Sequence, residues 1–224
     1  MVKIFFIIKQ DSQRVKNKNF QKIAGIPLYK RALYKLKKFN VFIDTDSNNI
    51  IANCKKDKNL NHVFCYRREQ KFIDMENSKS LSPAPLMIKN FLDKYVKNKN
   101  EIVVTSHVTS PFLNVETLNK AIKKMQNYDS VSSCNITQDF SYLDGRRIKP
   151  INFNPDIIQK TQSLKKIIHL NGAFFIIKKN IFLSNGLKRV SKNHFFFNLC
   201  FPEYLDIDNY EDLAVAQKIS TLYK

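Results

Sequence analysis

The chain has 224 residues, of which 43% are hydrophobic and 12% aromatic; this is enough for one domain with a buried core and excludes a disordered chain. No stretch approaches the roughly 20 consecutive apolar residues of a membrane-spanning helix. The formal net charge of +19 favours an anionic ligand or a nucleic acid, but the lysines are spread along every segment rather than concentrated in one. A nucleic-acid-binding domain is therefore an alternative and not the leading interpretation.

The N-terminal segment and the cysteines indicate a cytoplasmic protein. The opening residues, MVKIFFIIKQ, contain a short apolar run without a small-residue cleavage site, so they predict a first strand rather than a signal peptide. The cysteines are far apart in the sequence and form no C-x-x-C pair, which gives little support for a zinc site or a disulfide framework. They are Cys54, Cys65, Cys134 and Cys200.

Short β-rich runs alternate with helical patterns along the chain. The predicted strands are 3–8, 40–44, 62–66, 101–106, 129–133 and 173–177. Apolar residues at helical spacing predict helices over 29–36, 88–95 and 118–125, with Pro27 and Pro85 near two of the starts. The alternation predicts a three-layer α/β/α fold with a mostly parallel sheet, whose ligand site lies beyond the carboxyl ends of the strands.

The segment from about 135 to 170 is polar, rich in turn residues and only weakly periodic. It predicts an excursion from the sheet that covers the site or contacts another subunit. No internal repeat and no linker interrupts the chain, so residues 1–224 are interpreted as a single domain.

A basic loop follows the first predicted strand. It contains Lys9, Ser12, Arg14, Lys16 and Lys18, whose cations and hydroxyl suit a triphosphate and the charge that moves to a departing pyrophosphate. A solvated loop in a lysine-rich chain would have the same composition, so charge alone does not decide between the two. The chain has no Gly-x-x-x-x-Gly-Lys phosphate loop, which argues against P-loop NTPase chemistry.

Residues 12–28 resemble the opening of the acylneuraminate cytidylyltransferases, the CMP-sialic acid synthetases, a family related to the CMP-Kdo synthetases. Lys9 stands where that family has arginine, and Gln13 where it usually has lysine; Arg14 is similar to the arginine of the CMP-Kdo synthetases. The matching positions are Ser12, Lys18, Asn19, Gly25, Pro27 and Leu28.

The resemblance continues in order to the last helix, and this order carries more weight than any single motif. Arg68 replaces a proline of the family, and His107 and Val108 occupy a Gln-Pro position. The matching segments are 45–47, Arg67 with Asp74 and Ser78, 109–111, 129–131, 171–173 and 206–208.

The segment Asp206-Ile207-Asp208 is the candidate metal site. Two carboxylates at i and i+2 of an extended segment point to the same side and can reach one hard cation, for which Mg²⁺ is suited. Asp208 could instead cap the final helix, with Glu211 three residues later completing a capping box. In the family that the chain resembles, Asp-Ile-Asp before a terminal helix is the magnesium motif.

The resemblance implies transfer of CMP from CTP to the anomeric hydroxyl of an acidic 2-keto sugar, with release of pyrophosphate. Lys18, helped by Arg14 and Lys9, would stabilise the charge on the phosphates, and Asp206 and Asp208 would hold Mg²⁺. The nucleotide-binding residues would be Ser12, Gln13, Asn19, Arg67 and Ser78, and the acceptor pocket would contain His107, Thr109, Asn171, Phe174 and Phe175.

The identity of the acceptor stays open at this point. Phe175 stands where a tyrosine is expected and His107 where a glutamine is expected, and such changes can discriminate between sugars. Phe175 could equally be strand core, and His107 a hydrogen-bonded loop histidine. Sialic, legionaminic and pseudaminic acids are all compatible with the sequence as acceptors, and Kdo is the least favoured of the four.

The resemblance also implies a partner, because the family usually forms homodimers in which an extension from one subunit helps close the site of the other. Two other classes of protein remain as alternatives. One is a catalytically inactive binding scaffold; the other is the basic nucleic-acid-binding domain, against which the lack of the basic–aromatic pattern of RNA-stacking sheets argues.

Overall fold

In the computed structural model, which describes residues 2–78 and 82–222, strands and helices alternate along most of the chain. The strands are β1 (Lys3–Ile8), β2 (Lys22–Ile23), β3 (Ile26–Pro27), β4 (Asn40–Thr45), β5 (Val63–Arg67), β6 (Ile102–Ser106), β7 (Ser130–Thr137), β8 (Tyr142–Leu143), β9 (Lys149–Pro150), β10 (Ile167–Lys178) and β11 (His194–Asn198). The helices are α1 (Leu28–Tyr34), α2 (Asn48–Lys56), α3 (Gln70–Asn77), α4 (Ala84–Tyr95), α5 (Val115–Lys123), α6 (Lys179–Ser184) and α7 (Tyr210–Leu222).

Seven of the strands form one sheet in the order β11-β7-β10-β6-β1-β4-β5. Neighbouring strands pair in parallel except where β10 runs antiparallel to β6 and β7. The prediction of a mostly parallel α/β sheet is therefore confirmed. Because the carboxyl ends of the parallel strands meet at one edge, the loops after β1, β4, β5 and β6 lie together there.

Helices cover both faces of this sheet, because neighbouring residues of a buried strand point to opposite sides. Phe6 belongs to a core cluster with residues of α1, α2 and α5, whereas Phe5 packs on the other face with α4 and α6. The rings of Phe5 and Phe91 stack with their centroids 4.4 Å apart. Full burial of a side chain of this size contributes about 1.5–3 kcal/mol, so the two layers fix the sheet edge firmly.

A third, smaller core joins the two ends of the chain at this edge. Val15 from the loop after β1 and Ile207 from the segment before α7 are both fully buried, together with Leu28 of α1 and Leu213 of α7. Burial of Val15 and Ile207 holds the flanking charged residues in place, since their neighbours in sequence remain at the surface. This small core therefore brings the basic loop and the Asp-Ile-Asp segment together.

The sequence pattern missed several elements. Helices α2, α3 and α6 and strand β11 were not predicted, because their apolar stripes are short or interrupted by polar residues. The expected excursion over about 135–170 is shorter than predicted, since β7 extends to Thr137 and β10 begins at Ile167, where the two strands pair. Residues 138–166 leave the sheet and contain the small β8–β9 hairpin. None of the helices in residues 2–78 and 82–222 has the length and apolar character that crossing a membrane requires.

Candidate active site

The loop after β1 folds over its own base. Asn19 is buried, and its side-chain amide donates to the carbonyl of Lys9 at 2.8 Å, which ties the two ends of the loop together. Asn17 adopts a left-handed conformation with φ 51°, which asparagine tolerates better than most residues, and it starts a short 3-10 turn over Lys18–Phe20. The turn directs Lys18 toward the segment before α7.

Lys18 and Arg14 converge on Asp208, as the sequence predicts for a site shared between the ends of the chain. Lys18 Nζ lies 2.8 Å from the carbonyl oxygen of Ile207 and 3.3 Å from Asp208 Oδ1, and Arg14 donates to the same carboxylate oxygen at 2.6 Å. The Lys18 side chain is 14% exposed and that of Arg14 66%. Lys18 is thus held in position, whereas the Arg14 pair is a surface contact of small energetic value.

Asp208 does not cap the final helix. Asn209 Oδ1 accepts from the backbone of Asp212 at 2.8 Å, and Asp212 Oδ2 accepts in return from the backbone N–H of Asn209 at 3.0 Å. This reciprocal pair is the capping box of α7. The capping alternative for Asp208 with Glu211 is therefore wrong, and the Asp208 carboxylate faces the two cations instead.

Asp206 lies deeper than Asp208, and one of its carboxylate oxygens receives no hydrogen bond from the described residues. Its Oδ1 is buried and has no partner among residues 2–78 and 82–222. Burial raises the pKa of Asp206, a hydrogen bond from Thr109 lowers it, and the nearby Asp208 carboxylate raises it. Thr109 is itself fastened to this segment, because its carbonyl accepts from the backbone of Ile207 at 2.9 Å.

The predicted nucleotide-binding residues lie on what we call the β4 side, the ends of β1, β4 and β5 with the loops that follow them. Arg67 donates to the carbonyl of Asp46 and, at 2.9 Å, to Asn48 Oδ1. Ser78 ends α3, where its hydroxyl donates to the carbonyl of Met75 at 2.8 Å. In the loop after β1, Ser12 is half-buried and Gln13 is exposed.

Arg68, the residue that replaces the family's proline, connects the strands and the helix of the β4 side through ion pairs and hydrogen bonds. Its side chain is fully buried and donates to Asp44 Oδ1 and Glu76 Oε2, each at 2.7 Å, and to the carbonyl of Ile8 at 3.2 Å. Glu76 also pairs with Lys9 at 3.2 Å. One arginine therefore joins the ends of β1 and β4 to α3 and, through Glu76, positions Lys9. The adjacent arginines after a strand are the only sequence signal of this network.

The remaining predicted residues lie on what we call the β10 side: β6 and the loop that follows it, β10, the loop before β11 and the segment before α7. Gly172, at φ +74°, lies against the His107 ring, and a Cβ there would be 3.2 Å from His107 Nδ1. Partial removal of water from the His107 ring by the surrounding protein lowers its pKa, the Asp206 carboxylate raises it and the Arg189 cation lowers it. Part of the His107 side chain remains exposed to solvent. The register of β10 against β7 shifts between Leu170 and Phe175, which places Asn171 at an irregularity.

The two phenylalanines of β10 point to opposite faces. Phe174 is completely buried in the larger core, where it packs against Phe197, so its side chain does not line the site. Phe175 carries the guanidinium of Arg189 over its ring, with 3.7 Å between the guanidinium carbon and the ring centroid. Arg189 was not predicted, because no local pattern reveals which strand a loop folds onto.

The fold matches solved nucleotidyltransferases along nearly the whole chain. A CMP:2-keto-3-deoxy-manno-octonic acid synthetase complexed with CTP matches with a TM-score of 0.66 at 10% identity, covering 100% of this chain and 99% of that one. The 4-diphosphocytidyl-2C-methyl-D-erythritol synthase from Anaerococcus prevotii matches with a TM-score of 0.64 at 12% identity, over 99% and 96% of the two chains. The fold is thus that of the nucleotide-diphospho-sugar transferases.

The sequence itself gives the family. The sequence model of the cytidylyltransferase family matches residues 8–170, which is most of the chain. The protein therefore belongs to the cytidylyltransferase family and is a nucleotidyltransferase that uses CTP. No curated protein sequence matches this chain.

Proposed function

We propose that this cytidylyltransferase transfers CMP from CTP to the anomeric hydroxyl of an acidic 2-keto sugar and releases pyrophosphate. One observation carries the proposal: Lys18 and Arg14, from the loop after β1, meet Asp208, from the segment before α7. A cluster of two cations and a carboxylate at the carboxyl edge of the sheet suits a reaction in which phosphate charge must be held and moved. The ordered motifs that resemble the CMP-sialic acid synthetases support the acidic 2-keto sugar.

On the nucleotide, the protein would act by positioning and by charge stabilisation. The anomeric hydroxyl would attack the α-phosphorus in line; a P–O bond to the sugar forms as the bond to pyrophosphate breaks, and the hydroxyl proton is released to solvent. Lys18 is the best placed cation for the developing charge, because its side chain is mostly buried and its ammonium is fixed by the Ile207 carbonyl at 2.8 Å, closer than its contact with the Asp208 carboxylate. Arg14 and Lys9, both exposed, would contact the outer phosphates.

Asp206 and Asp208 fit the Mg²⁺ that the resemblance implies. Both are hard oxygen ligands, and Asp206 Oδ1 is buried with no hydrogen-bond partner in the described part of the chain. The same part of the chain has no group of three acidic, histidine or cysteine ligands, so phosphate oxygens and water would complete the coordination, as Mg²⁺ favours. When bound, Mg²⁺ would neutralise charge on the reacting phosphates.

The acceptor itself is proposed from the resemblance: sialic acid or a relative such as legionaminic or pseudaminic acid. The nearest test compounds also include Kdo and a phosphorylated methylerythritol, because the names of the two structural neighbours contain these skeletons. His107, Thr109 and Asn171 would contact the sugar, since His107 and Thr109 lie beside Asp206 and Asn171 precedes Gly172, which lies against the His107 ring.

Pyrophosphate release with CTP, Mg²⁺ and this panel of acceptors tests the proposal. We expect release with at least one 2-keto sugar acid and not with ATP or GTP in place of CTP. Lys18→Ala should abolish turnover, with kcat falling more than roughly 100-fold because a transition-state cation is lost. The control is Lys22→Ala, which removes an exposed lysine from the neighbouring β2 and should leave kcat unchanged.

Circular dichroism shows whether the variants are folded. Near-normal turnover by a folded Lys18→Ala variant would contradict the assigned role of Lys18. Absence of pyrophosphate release by the wild type with all sugar acids would contradict the acceptor class.

A homodimer and a cytoplasmic location also belong to the proposal. Residues 138–166 expose several apolar side chains, among them Leu143, Ile148, Ile151 and Ile158, and a second copy of the chain would cover them in the manner that the resemblance implies. Light scattering at micromolar concentration should give twice the mass of 26.3 kDa; a stable monomer would contradict the dimer. All four cysteines are free, as is typical of a reducing compartment.

A further inference from the structure

Arg189 is held in an unusual position for a loop arginine. It lies between α6 and β11, is partly buried, and its guanidinium carbon is 3.7 Å from the centroid of the Phe175 ring. At this distance the planar guanidinium packs on the ring, and such stacking fixes the plane of the group while its N–H donors point outward around the edge. The ring of Phe175 thus acts as a support for Arg189.

The charge of Arg189 lacks an acidic partner within the part of the chain that the structure describes. Among residues 2–78 and 82–222, no carboxylate forms an ion pair with Arg189, whereas the buried Arg68 has two. A partly buried guanidinium without a counter-ion is unfavourable, and burial lowers the pKa of Arg189 for this reason. Such a cation is stabilised when an anion binds beside it.

Other unpartnered donors lie close to the same place. Thr105 of β6 is directly opposite Phe175 in the antiparallel pair, so the two side chains project to the same face with about 4.5–5.5 Å between their Cβ atoms. The Thr105 hydroxyl is buried and has no hydrogen-bond partner in the described residues, and the same is true of the Asn171 side-chain amide nitrogen on β10. In the described part of the chain, the Arg189 guanidinium has no carboxylate and the Thr105 hydroxyl opposite Phe175 has no partner, and two such donors make a site for oxygen atoms of an anion.

We propose that Arg189, supported by Phe175 and assisted by Thr105, binds the anionic group of the acceptor substrate. The ligand is an oxyanion, a carboxylate in the case of a 2-keto sugar acid or a phosphate in the case of a phosphorylated polyol. The inference rests on the proposed function, and it changes the role of Phe175 from sugar contact to support of the arginine. Arg189 would act separately from Lys18 and Arg14, which contact Asp208 and would bind the nucleotide.

The experiment measures kcat and KM for acceptor and for CTP in the wild type and four variants: Arg189→Gln, Arg189→Lys, Phe175→Leu and Lys188→Gln. Lys188→Gln is the matched control, because it removes the same charge from an exposed neighbour in the same loop. Acceptors are the active 2-keto sugar acid, its uncharged carboxamide, and a phosphorylated methylerythritol with its unphosphorylated form.

Arg189→Gln should lower kcat/KM for the anionic acceptor by roughly 10- to 100-fold, mainly through KM, because charge-assisted hydrogen bonds are lost. The KM for CTP and the kcat/KM for the uncharged analogue should stay within about twofold. Arg189→Lys should keep part of the activity, because lysine keeps the positive charge. Phe175→Leu should lose part of the activity, because the aromatic ring that supports the Arg189 guanidinium is removed. In each acceptor pair, the wild type should have a higher kcat/KM for the anionic form than for the uncharged form. The pair for which Arg189→Gln removes this difference shows whether the bound anion is a carboxylate or a phosphate.

Three outcomes overturn the inference while leaving the proposed function intact: an unchanged Arg189→Gln variant, equal losses on charged and uncharged acceptors, or a loss matched by Lys188→Gln. A rise in the KM for CTP would also overturn it, because Arg189 would then serve the nucleotide. Absence of wild-type turnover with every acceptor would overturn the proposed function itself and this inference with it.

Discussion

The β4 side and the β10 side differ in how their polar groups are satisfied. On the β4 side, Arg68, Asp44, Glu76 and Lys9 form a continuous network of ion pairs. On the β10 side, Asp206, Asn171 and Thr105 each keep a buried polar atom without a partner in residues 2–78 and 82–222, and Arg189 has no carboxylate there.

This difference separates two ways of building a site. Unmet polar groups in a native fold are uncommon, because each raises the free energy of the folded state by about 1–3 kcal/mol. Their concentration on one side suggests that a polar ligand completes that side. On the β4 side the ion pairs close within the protein, and among residues 2–78 and 82–222 the Tyr66 hydroxyl of β5 is the buried polar atom there that has no partner. The β4 side therefore serves as a rigid platform. Each of the following measurements can break or sharpen this contrast.

The largest effect is expected at Arg68. Arg68→Met leaves Asp44 as a buried carboxylate without its cation and removes one of the two cations that pair with Glu76, so the free energy of unfolding should fall by about 3–5 kcal/mol. Urea denaturation followed by circular dichroism measures this. Arg67→Met, next in sequence but exposed, should change the free energy of unfolding by less than about 1 kcal/mol. Similar losses in both variants would mean that the β4 side is not held by the buried network.

A pH-dependent effect of intermediate size is expected at Lys35, beneath the β10 side. Its ammonium donates to the carbonyls of Pro111 and Leu113 and lines a small cavity that also contacts His107. The pKa of Lys35 is lowered from its ordinary 10.5 to about 8, mainly by burial and secondly by the neighbouring Arg31, while Glu203 acts in the opposite direction.

Because the folded-state pKa of Lys35 lies below the unfolded value, the unfolded state binds more protons between about pH 8 and 10.5. The free energy of unfolding should therefore rise with pH in this window by up to about 3 kcal/mol, relative to Lys35→Met. Denaturation midpoints of the two proteins at a series of pH values give the difference. Parallel curves would show that Lys35 is not desolvated in the folded protein.

The smallest expected change in the free energy of unfolding comes from two adjacent residues of β6, Ser106 and Thr105, which can be compared directly. Ser106 Oγ donates to the carbonyl of Ala173 at 2.7 Å, whereas the buried Thr105 hydroxyl has no partner in the described residues. Ser106→Ala should lower the free energy of unfolding by about 1 kcal/mol, and Thr105→Val should leave it unchanged or raise it slightly. Thermal denaturation of both variants without ligand suffices. A loss of 1 kcal/mol or more in Thr105→Val would mean that the hydroxyl is already satisfied.

Much of the fold was readable from the sequence because its signals are local. Strand β1 matches the predicted run 3–8 residue for residue, β4 and β6 differ by one residue at one boundary, and β5 is shifted by one residue at both. These strands are continuous apolar runs, since both of their faces are buried. Strand β11 was missed, because only its pairing with β7 makes a strand of a short aromatic run.

The candidate site was readable only in part. The convergence of Lys18 with Asp208 followed from ordered motifs, and the geometry brings the two together. The role of Asp208 itself could not be read, because the choice between metal ligand and helix cap depended on where α7 starts. Phe174 was assigned to the pocket although it is core, since the register of β10 decides which phenylalanine faces which side.

By itself, the sequence determined the α/β class, the cytidylyltransferase family and the charged residues Lys18, Arg14 and Asp208 that meet at the carboxyl edge of the sheet. These depend on side-chain periodicity and on motifs within short segments. Only the tertiary structure decided which polar groups find partners: Arg68 buries its charge against two carboxylates, whereas Arg189 lies over Phe175 with no carboxylate partner among the described residues. The free energy of a charge depends on the atoms packed around it, and those atoms come from strands and loops far apart in the chain.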